Sequence, residues 1–408
     1  MTVYQSNSSA YVAHKVQSAL GTQASGASAE KIRTAGGNGA KLAKAAVESN
    51  EVRSDGMRQR GRHGTQKTNS DYMAELSIGS HDTLIEAIMR GTWDSTPLVL
   101  TEADFTSLTT GANTIVLASG NPITLGLRVH DVIILTEQDT STTNNSKNLR
   151  ITGLSATTIT VAETLVVNAV ADTNITITRP GKRIVNPTTL VKRYFTLEEY
   201  ENDIDQSTLL TDFVWGNMKF SMSPNGLIMA DPGGIGTGQI EVKATGSSPF
   251  FTSPTLTTAA PLSVVDATIR LNGVDMVELT SFDLTVNIGP SAPDVFGSGA
   301  IKYAPDVFTG QMAVSMNLSM LRKDLAHLSA FIAETVYSLH ILAVENESEP
   351  KSFVSIAVPN FTLGSVDPSA LSKEGGGRTQ TLSIPAALVG RDDTGTGYDA
   401  TMIKVQMG

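Results

Sequence analysis

Apolar and polar residues alternate along several stretches of this chain. In DYMAELSIGS the residues Tyr72, Ala74, Leu76 and Ile78 share one face, and in SFDLTVNIG so do Phe282, Leu284, Val286 and Ile288. Met312, Val314, Met316, Leu318 and Met320 repeat the pattern. A period of two is that of a β-strand with one buried face. Two stretches change to a helical period: Leu84, Ile85, Ile88 and Met89 within residues 81–90, and Leu321, Leu325, Leu328, Phe331, Ile332 and Val336. Each predicts a helix packed by one stripe on a sheet.

The elements come in the same order twice. VESNEVRS reads as a strand, GMRQRGRHGTQKTNS as a polar excursion, DYMAELSIGS as a second strand, and a helix follows. SFDLTVNIG, the excursion PSAPDVFGSGAIKYAPDVFTG, the Met-rich strand and the second helix repeat that order. The tails also match in kind. RYFTLEEYENDID and DFVWGNMKFSMS lead through Gly-rich DPGGIGTG to QIEVKA, as LHILAVENESEP and KSFVSIAVPNFTLGSV lead through GGGRTQ to TLSIPA. This pattern predicts one β-sandwich-like unit, duplicated.

Between the first helix and RYFTLEEY lie NTIVLAS, HDVIILTEQ, KNLRITGLSATTITV and TNITITRP, short strands separated by Asn, Gly and Asp turns. They predict a small β-barrel or sandwich inserted into the first unit. Residues 1–45 are rich in Ser, Ala and Gly and carry no sustained period, so they read as an arm or linker, with room for one short helix, that orders only against a neighbouring subunit. The expected division is an arm over 1–45, a first unit over 46–97 and 186–262, an insert over 98–185, and a second unit over 263–408. The fold class is all-β with minor helix.

Composition narrows the function. Charged residues are 17% and aromatics 5% of the chain, the usage of a sandwich or barrel rather than a helical enzyme. A formal net charge of -10 argues against wrapping nucleic acid, which is gripped by Lys and Arg. With no cysteine there is no disulfide and no thiolate metal site, which suits a reducing cytoplasm. The N-terminal MTVYQSNSSAYVAHK lacks the basic start and apolar core of a secretion signal, and no run reaches the ~18 apolar residues of a membrane span, so a soluble, unexported chain is expected.

Chemistry is sparse. His14, His63, His81, His130, His327 and His340 are scattered and show no metal-binding spacing. Gly233, Gly234, Gly236 and Gly238 lack the Lys and Ser/Thr of a phosphate loop and read as a turn, like Gly375, Gly376 and Gly377 in the second unit. No GxSxG elbow occurs. Catalytic, cofactor-binding and metal-ligating residues are all expected to be absent.

Four stretches, taken in order, resemble the tail tube proteins of long-tailed siphophages. They are VESNEVRSDGMRQ with YMAELSIGSHDTLIEAIM; GLRVHDVIIL with NLRITGLSATTITV; YFTLEEYENDIDQSTLLTDFVWGNMKFSMSPNGLI; and VDATIRLNGVDMVELTSFDLTVNIG. The resemblance covers most of residues 47–400. It implies tail-tube β-sandwich or barrel domains, each flanked by a helix, that form rings stacking into a hollow filament for DNA ejection. Most such proteins carry one domain and form hexamers. A chain with two would reach the same pseudo-sixfold ring as a trimer, with a hexamer as the alternative. The implied partners are other copies of the chain, a tape measure protein, and tail terminator and tip proteins. Double-stranded DNA would pass without specific binding. The implied location is the virion, with assembly in the host cytoplasm.

Within that resemblance, the polar parity of the strands proposes a channel lining: Glu75, Ser221, Asp283, Thr285, Asn287, Ser315, Asn317 and Ser319. The same alternation also describes ordinary solvent-facing positions. The basic stretch Arg53, Arg58, Arg60, Arg62 and Lys67 reads either as a solvated hairpin tip or as a contact between stacked rings. Its acidic partner would be Glu198, Glu199, Glu201, Asp203 and Asp205. Rival readings are a contractile-tail or secretion-type tube, and a β-rich surface adhesion or carbohydrate-binding protein. The latter calls for an aromatic platform, yet Trp93 and Trp215 are the only tryptophans. An enzyme of the β-helix type would repeat at short period, which this chain does not.

Overall fold

The computed structural model describes residues 4–138, 142–296, 302–346, 348–373, 375–391 and 397–408. Part of the second polar excursion, residues 297–301, lies outside them. The chain opens with strands β1 (Ala10–Val16), β2 (Glu30–Lys31), β3 (Thr34–Gly37), β4 (Lys41–Val47) and β5 (Arg62–Ala74), then helix α1 (Asp82–Met89). Next come β6 (Leu98–Leu100), α2 (Glu102–Phe105), β7 (Leu108–Thr110), β8 (Thr114–Leu117), β9 (Val132–Thr136), β10 (Leu149–Leu154), β11 (Thr158–Val161), β12 (Asn168–Asp172) and β13 (Thr176–Arg179). The first half ends with β14 (Lys182–Val185), β15 (Phe195–Glu201), β16 (Gln206–Met222) and β17 (Met229–Lys243). The second half holds β18 (Ala267–Leu271), β19 (Val274–Asp275), β20 (Leu279–Asn287), β21 (Ala313–Leu321), α3 (Ala326–Ile332), β22 (Tyr337–Val344), β23 (Phe353–Phe361), β24 (Ser365–Pro368), β25 (Thr379–Ile384) and β26 (Lys404–Met407).

Strand pairing in the second half repeats that of the first. One series joins β2, β1, β15, residues 206–213 of β16 and residues 239–243 of β17. The strands β19, β18, β22, β23 and β26 pair in the same order. Another series joins β4, β5, residues 229–236 of β17 and residues 217–222 of β16. It is matched strand for strand by β20, β21, β25 and β24. In each half the helix follows the second strand of this series. The two four-stranded series then join each other through β16 and β20, from Asn217 opposite Asn287 to Met222 opposite Phe282.

In the first half β16 and β17 serve both series as continuous strands. The register of their pairing slips between Thr211 and Phe213 and again between Trp215 and Asn217, and such bulges bend a ladder. Gly233, Gly234 and Gly236 sit at this bend, inside β17 rather than in a turn. A Cβ on Gly234 would stand 2.3 Å from the carbonyl oxygen of Val214 and 2.7 Å from the Phe213 ring, so the close approach excludes any side chain. Under the bend Trp215 is wholly buried, edge-on to Phe213 at 4.9 Å and to His14 at 5.8 Å.

A single apolar core runs through both halves, from Val12 and Leu84 to Phe282, Ile341 and Val405. Helix α1 buries Leu84, Ile85, Ala87, Ile88 and Met89 in it. Strands β6 to β13 form a separate sheet with a core of its own, including Leu108, Ile133, Ile151 and Ile177. That sheet ends at Arg179; β14 instead pairs with the C-terminal β26. It docks on the outer face of β22 and β23 through Val132, Leu342, Val344 and Phe353.

Several expectations are corrected. VESNEVRS is not a strand: β4 ends at Val47 and the polar RHGTQKTNSD begins β5. β5 is paired by β4 on one side and β17 on the other, so backbone ladders hold a strand whose first residues lack apolar alternation. The N-terminal stretch is not a bare arm. β1 forms a full ladder with β15, and Val12, Ala13, His14, Ala29 and Ile32 are buried within this chain. The Gly233–Gly238 run is strand, whereas Gly375, Gly376 and Gly377 fall between β24 and β25. The second helix spans only Ala326–Ile332 and buries no residue fully.

Candidate channel wall and assembly edges

Because β-strand side chains alternate, the register of the second series sorts every residue to one of two faces. Tyr72, Phe220, Phe282, Leu284, Met316, Leu318 and Leu382 point into the core. The opposite face is polar and forms rows across the strands. Asp71, Gly233, Asn217, Asn287 and Ala313 make one row, and Asp231, Lys219, Thr285 and Ser315 the next. Met229, Ser221, Asp283, Asn317, Ser383 and Ser365 form a third, which Glu75 extends by its bridge to Met229. Ser281, Ser319, Thr381 and Asp367 make the fourth. All the candidate lining residues, Glu75, Ser221, Asp283, Thr285, Asn287, Ser315, Asn317 and Ser319, thus share one continuous face.

The charge of this face is acidic. Asp71, Glu75, Asp231, Asp283 and Asp367 outnumber Lys219 and, by the same parity toward β4, Lys41 and Lys67, the last paired with Asp294. Lys219 is held by Asp283 at 3.0 Å. Burial pushes the Asp231 carboxyl above its ordinary range, against the pull of Lys219. Ser319 and Thr381 hydroxyls lie 3.0 Å apart, closing the row between β21 and β25.

The basic cluster lies where β4 and β5 run out. Arg53 pairs with Asp55 at 2.6 Å and Arg58 with Glu48 at 3.2 Å within the tip, Lys67 reaches Asp294 at 3.2 Å, and Arg60 and Arg62 are exposed. Of the acidic run, Glu198, Glu199 and Glu201 belong to β15, and Asp203 and Asp205 to the turn after it. Glu198 is fully buried: its carboxylate accepts the backbone amides of Phe250 at 2.6 Å and Phe251 at 3.0 Å and the hydroxyl of Ser207. It has no surface to offer a neighbouring ring. Glu199 accepts the amide of Ala40 at 2.7 Å. Asp203 accepts the amide of Ser6 and the hydroxyl of Ser9, and Asp205 the phenol of Tyr200.

The register also places the two clusters at one end of the sheet. Thr68 is opposite Gly236, which is opposite Phe213, so Arg62 comes level with Ser207 at the start of β16, the end that the 202–205 turn precedes. The basic tip and the acidic turn therefore lie toward the same end of the chain's sheet.

Two edges of the polar sheet are open: among the described strands, β24 pairs only with β25 and β4 only with β5. Nothing in the residue pattern marks these edges, because edge position is decided by pairing across long sequence distances. Sequence reasoning also missed the ionic cluster that joins the insert to the sheet of β14, β26 and β23. Lys404 meets Asp131 at 2.5 Å and Asp399 at 2.8 Å, and Arg183 meets Asp94, Asp131 and Asp399. Burial raises the Asp399 carboxyl, yet the charges of Lys404, Arg183 and Arg128 outweigh it and hold it below the usual carboxylate range.

Among the described residues no group of His, Cys, Asp and Glu has the arrangement of a metal site, and no helix is long and apolar enough to cross a membrane. Trp215 is core and Trp93 is half-buried, its indole donating to the Asp82 carbonyl at 3.1 Å, so neither belongs to an exposed aromatic platform. No curated protein matches the chain. The family model described as phage tail tube protein matches residues 7–386, nearly the whole length, and the chain therefore belongs to the phage tail tube protein family.

Proposed function

We propose that three copies of this virion protein close into a ring of pseudo-sixfold symmetry, that rings stack into a tube, and that the polar sheet face lines its bore. The joint between β16 and β20 carries the reading. There, two sheets of matching topology meet edge to edge within one chain. The same joint, repeated between chains, would pair β24 of one copy with β4 of the next and leave no free edge. Each chain is a duplicated tube unit in this reading, with the β6–β13 barrel as a decoration on the outside. A hexamer of chains is the alternative.

A wall of hydroxyls, amides and carboxylates suits the passage of a duplex without specific binding, because clustered Lys or Arg would hold each phosphate it met. The tip bearing Arg53, Arg58, Arg60 and Arg62 would reach the adjacent ring. Its acidic partner would lie at that ring's opposite end rather than in Glu201 and Asp203. A tape measure protein would occupy the bore before ejection, and terminator and tip proteins would cap the ends, with assembly in the host cytoplasm. Electron microscopy of the purified protein tests this. Filaments with a stain-filled axial channel and three chains per ring are expected; a preparation that stays as discrete monomers at high concentration would reject it.

A further inference from the structure

The two matching halves differ at one place in a way that points to a second copy. Helices α1 and α3 begin at Asp82 and Ala326, so Ile88 corresponds to Ile332. Ile88 is 2% exposed, and Ile332 is 75% exposed. Leu325 and Val336, which flank α3, are exposed as well. What covers Ile88 is specific: it shares a small internal cavity with Met218 of β16, Val286 of β20, and Ile403 and Val405 at the C-terminal strand β26. Helix α1 therefore sits beneath the joint between the halves, under the outer-series strand β26 of the second half.

The strand matching β26 in the first half is the outer part of β17, residues 239–243. Its inward-facing apolar residues are Ile240, opposite Leu210, and Val242, opposite Thr208. Val405 is 2% exposed, whereas Val242 is 67% exposed. Ile88 and Val405, which line one cavity inside the chain, thus have counterparts in Ile332 and Val242 that are both exposed, while Ile240 is half-buried against the core. Helix α3 touches β24, and β17 touches β4.

We infer that α3 of one chain docks beneath β17 of a second copy, seating Ile332 against Ile240 and Val242 as Ile88 is seated against Ile403 and Val405. The inference rests on the ring proposed above and adds the apolar contact that locks each joint from behind the polar wall. An apolar seat outside the bore fixes the angle between neighbours, whereas edge hydrogen bonds alone leave a hinge. A connection from the insert, β14, adds a strand beside β26 in the chain; residues 333–336, which follow α3, hold the corresponding place at the intermolecular joint.

The absence of cysteine makes the test direct. Ile332→Cys and Val242→Cys, singly and together, are assembled and treated with a short bismaleimide before denaturing electrophoresis. The double variant is expected to give linked chains in a ladder that stops at three, and each single variant none. Tubes that form without this cross-link would overturn the α3 contact and leave the tube reading intact; unmodified chains that never form tubes would overturn both. As a second measurement, Ile332→Asp should melt like the unmodified chain, because the side chain is exposed in the single subunit, yet fail to form rings. Normal tubes from Ile332→Asp would also refute the contact.

Discussion

Lys219 Nζ lies 3.0 Å from Asp283 Oδ1, diagonally across the seam where β16 meets β20. Both side chains are roughly half exposed, so the pair adds less than about 1 kcal/mol to stability. Its effect is electrical: on a largely acidic face, it cancels the charge of Lys219.

Reversing that balance should be visible in DNA retention. Assembled Asp283→Lys tubes are expected to retain short duplex DNA at low salt and release it as salt rises, with unmodified tubes retaining none. Co-sedimentation with labelled duplex measures this. Equal retention by both would mean that the face does not meet the duplex.

Glu198 should be a strong stability determinant despite carrying a charge. Removing its carboxylate in Glu198→Ala leaves the buried amide of Phe251 without an acceptor, at a cost of about 1–3 kcal/mol, and also frees the part-buried amide of Phe250. Glu198→Gln keeps an acceptor and should lose less. Urea unfolding of the subunit gives the number, and protease cleavage after Lys243 should accelerate as the 244–262 connection comes loose. An unchanged unfolding midpoint in Glu198→Ala would show the latch to be unimportant.

Acid should destabilise the subunit through buried histidines. Burial pushes His14 down to about 3, His81 to about 4 and His130 to about 3, while in the unfolded chain each takes a proton near the ordinary value of 6.5. Between those limits the unfolded state binds more protons, so this stability is complete above pH 6.5 and is lost as the pH falls toward 3–4. Each histidine contributes a slope of up to about 1.4 kcal/mol per pH unit. Thermal melts from pH 7.5 to 4.5 should show the decline, and His14→Gln should flatten it. A melting temperature indifferent to pH over that range would rule this out.

The parts of the fold legible in the sequence are those where one face packs and the other stays polar. β20 and β21 are strictly alternating because Phe282, Leu284 and Val286 face the core while Asp283, Thr285 and Asn287 do not. Helix α1 announced itself for the same reason. What escaped was structure specified by pairing rather than by side-chain burial. The start of β5 carries polar residues on both faces, and β1 offers a short, mixed face that a neighbouring strand completes. The glycines of β17 looked like a turn because the need for them comes from Phe213 and Val214, some twenty residues away. Glu198 looked like surface because nothing local signals that Phe250 and Phe251 will bring their amides to it. The candidate wall was legible residue by residue, but its continuity came from the seam between β16 and β20.

That seam and the core behind it tie the two matching halves to each other. A fragment ending near residue 262 would keep α1 but lose the Ile403 and Val405 that cover it, and the remaining fragment would expose those two residues with nothing to bury. Cutting the chain there would yield two insoluble pieces rather than two small working subunits, so any ring built from this polypeptide gains or loses its lobes in pairs.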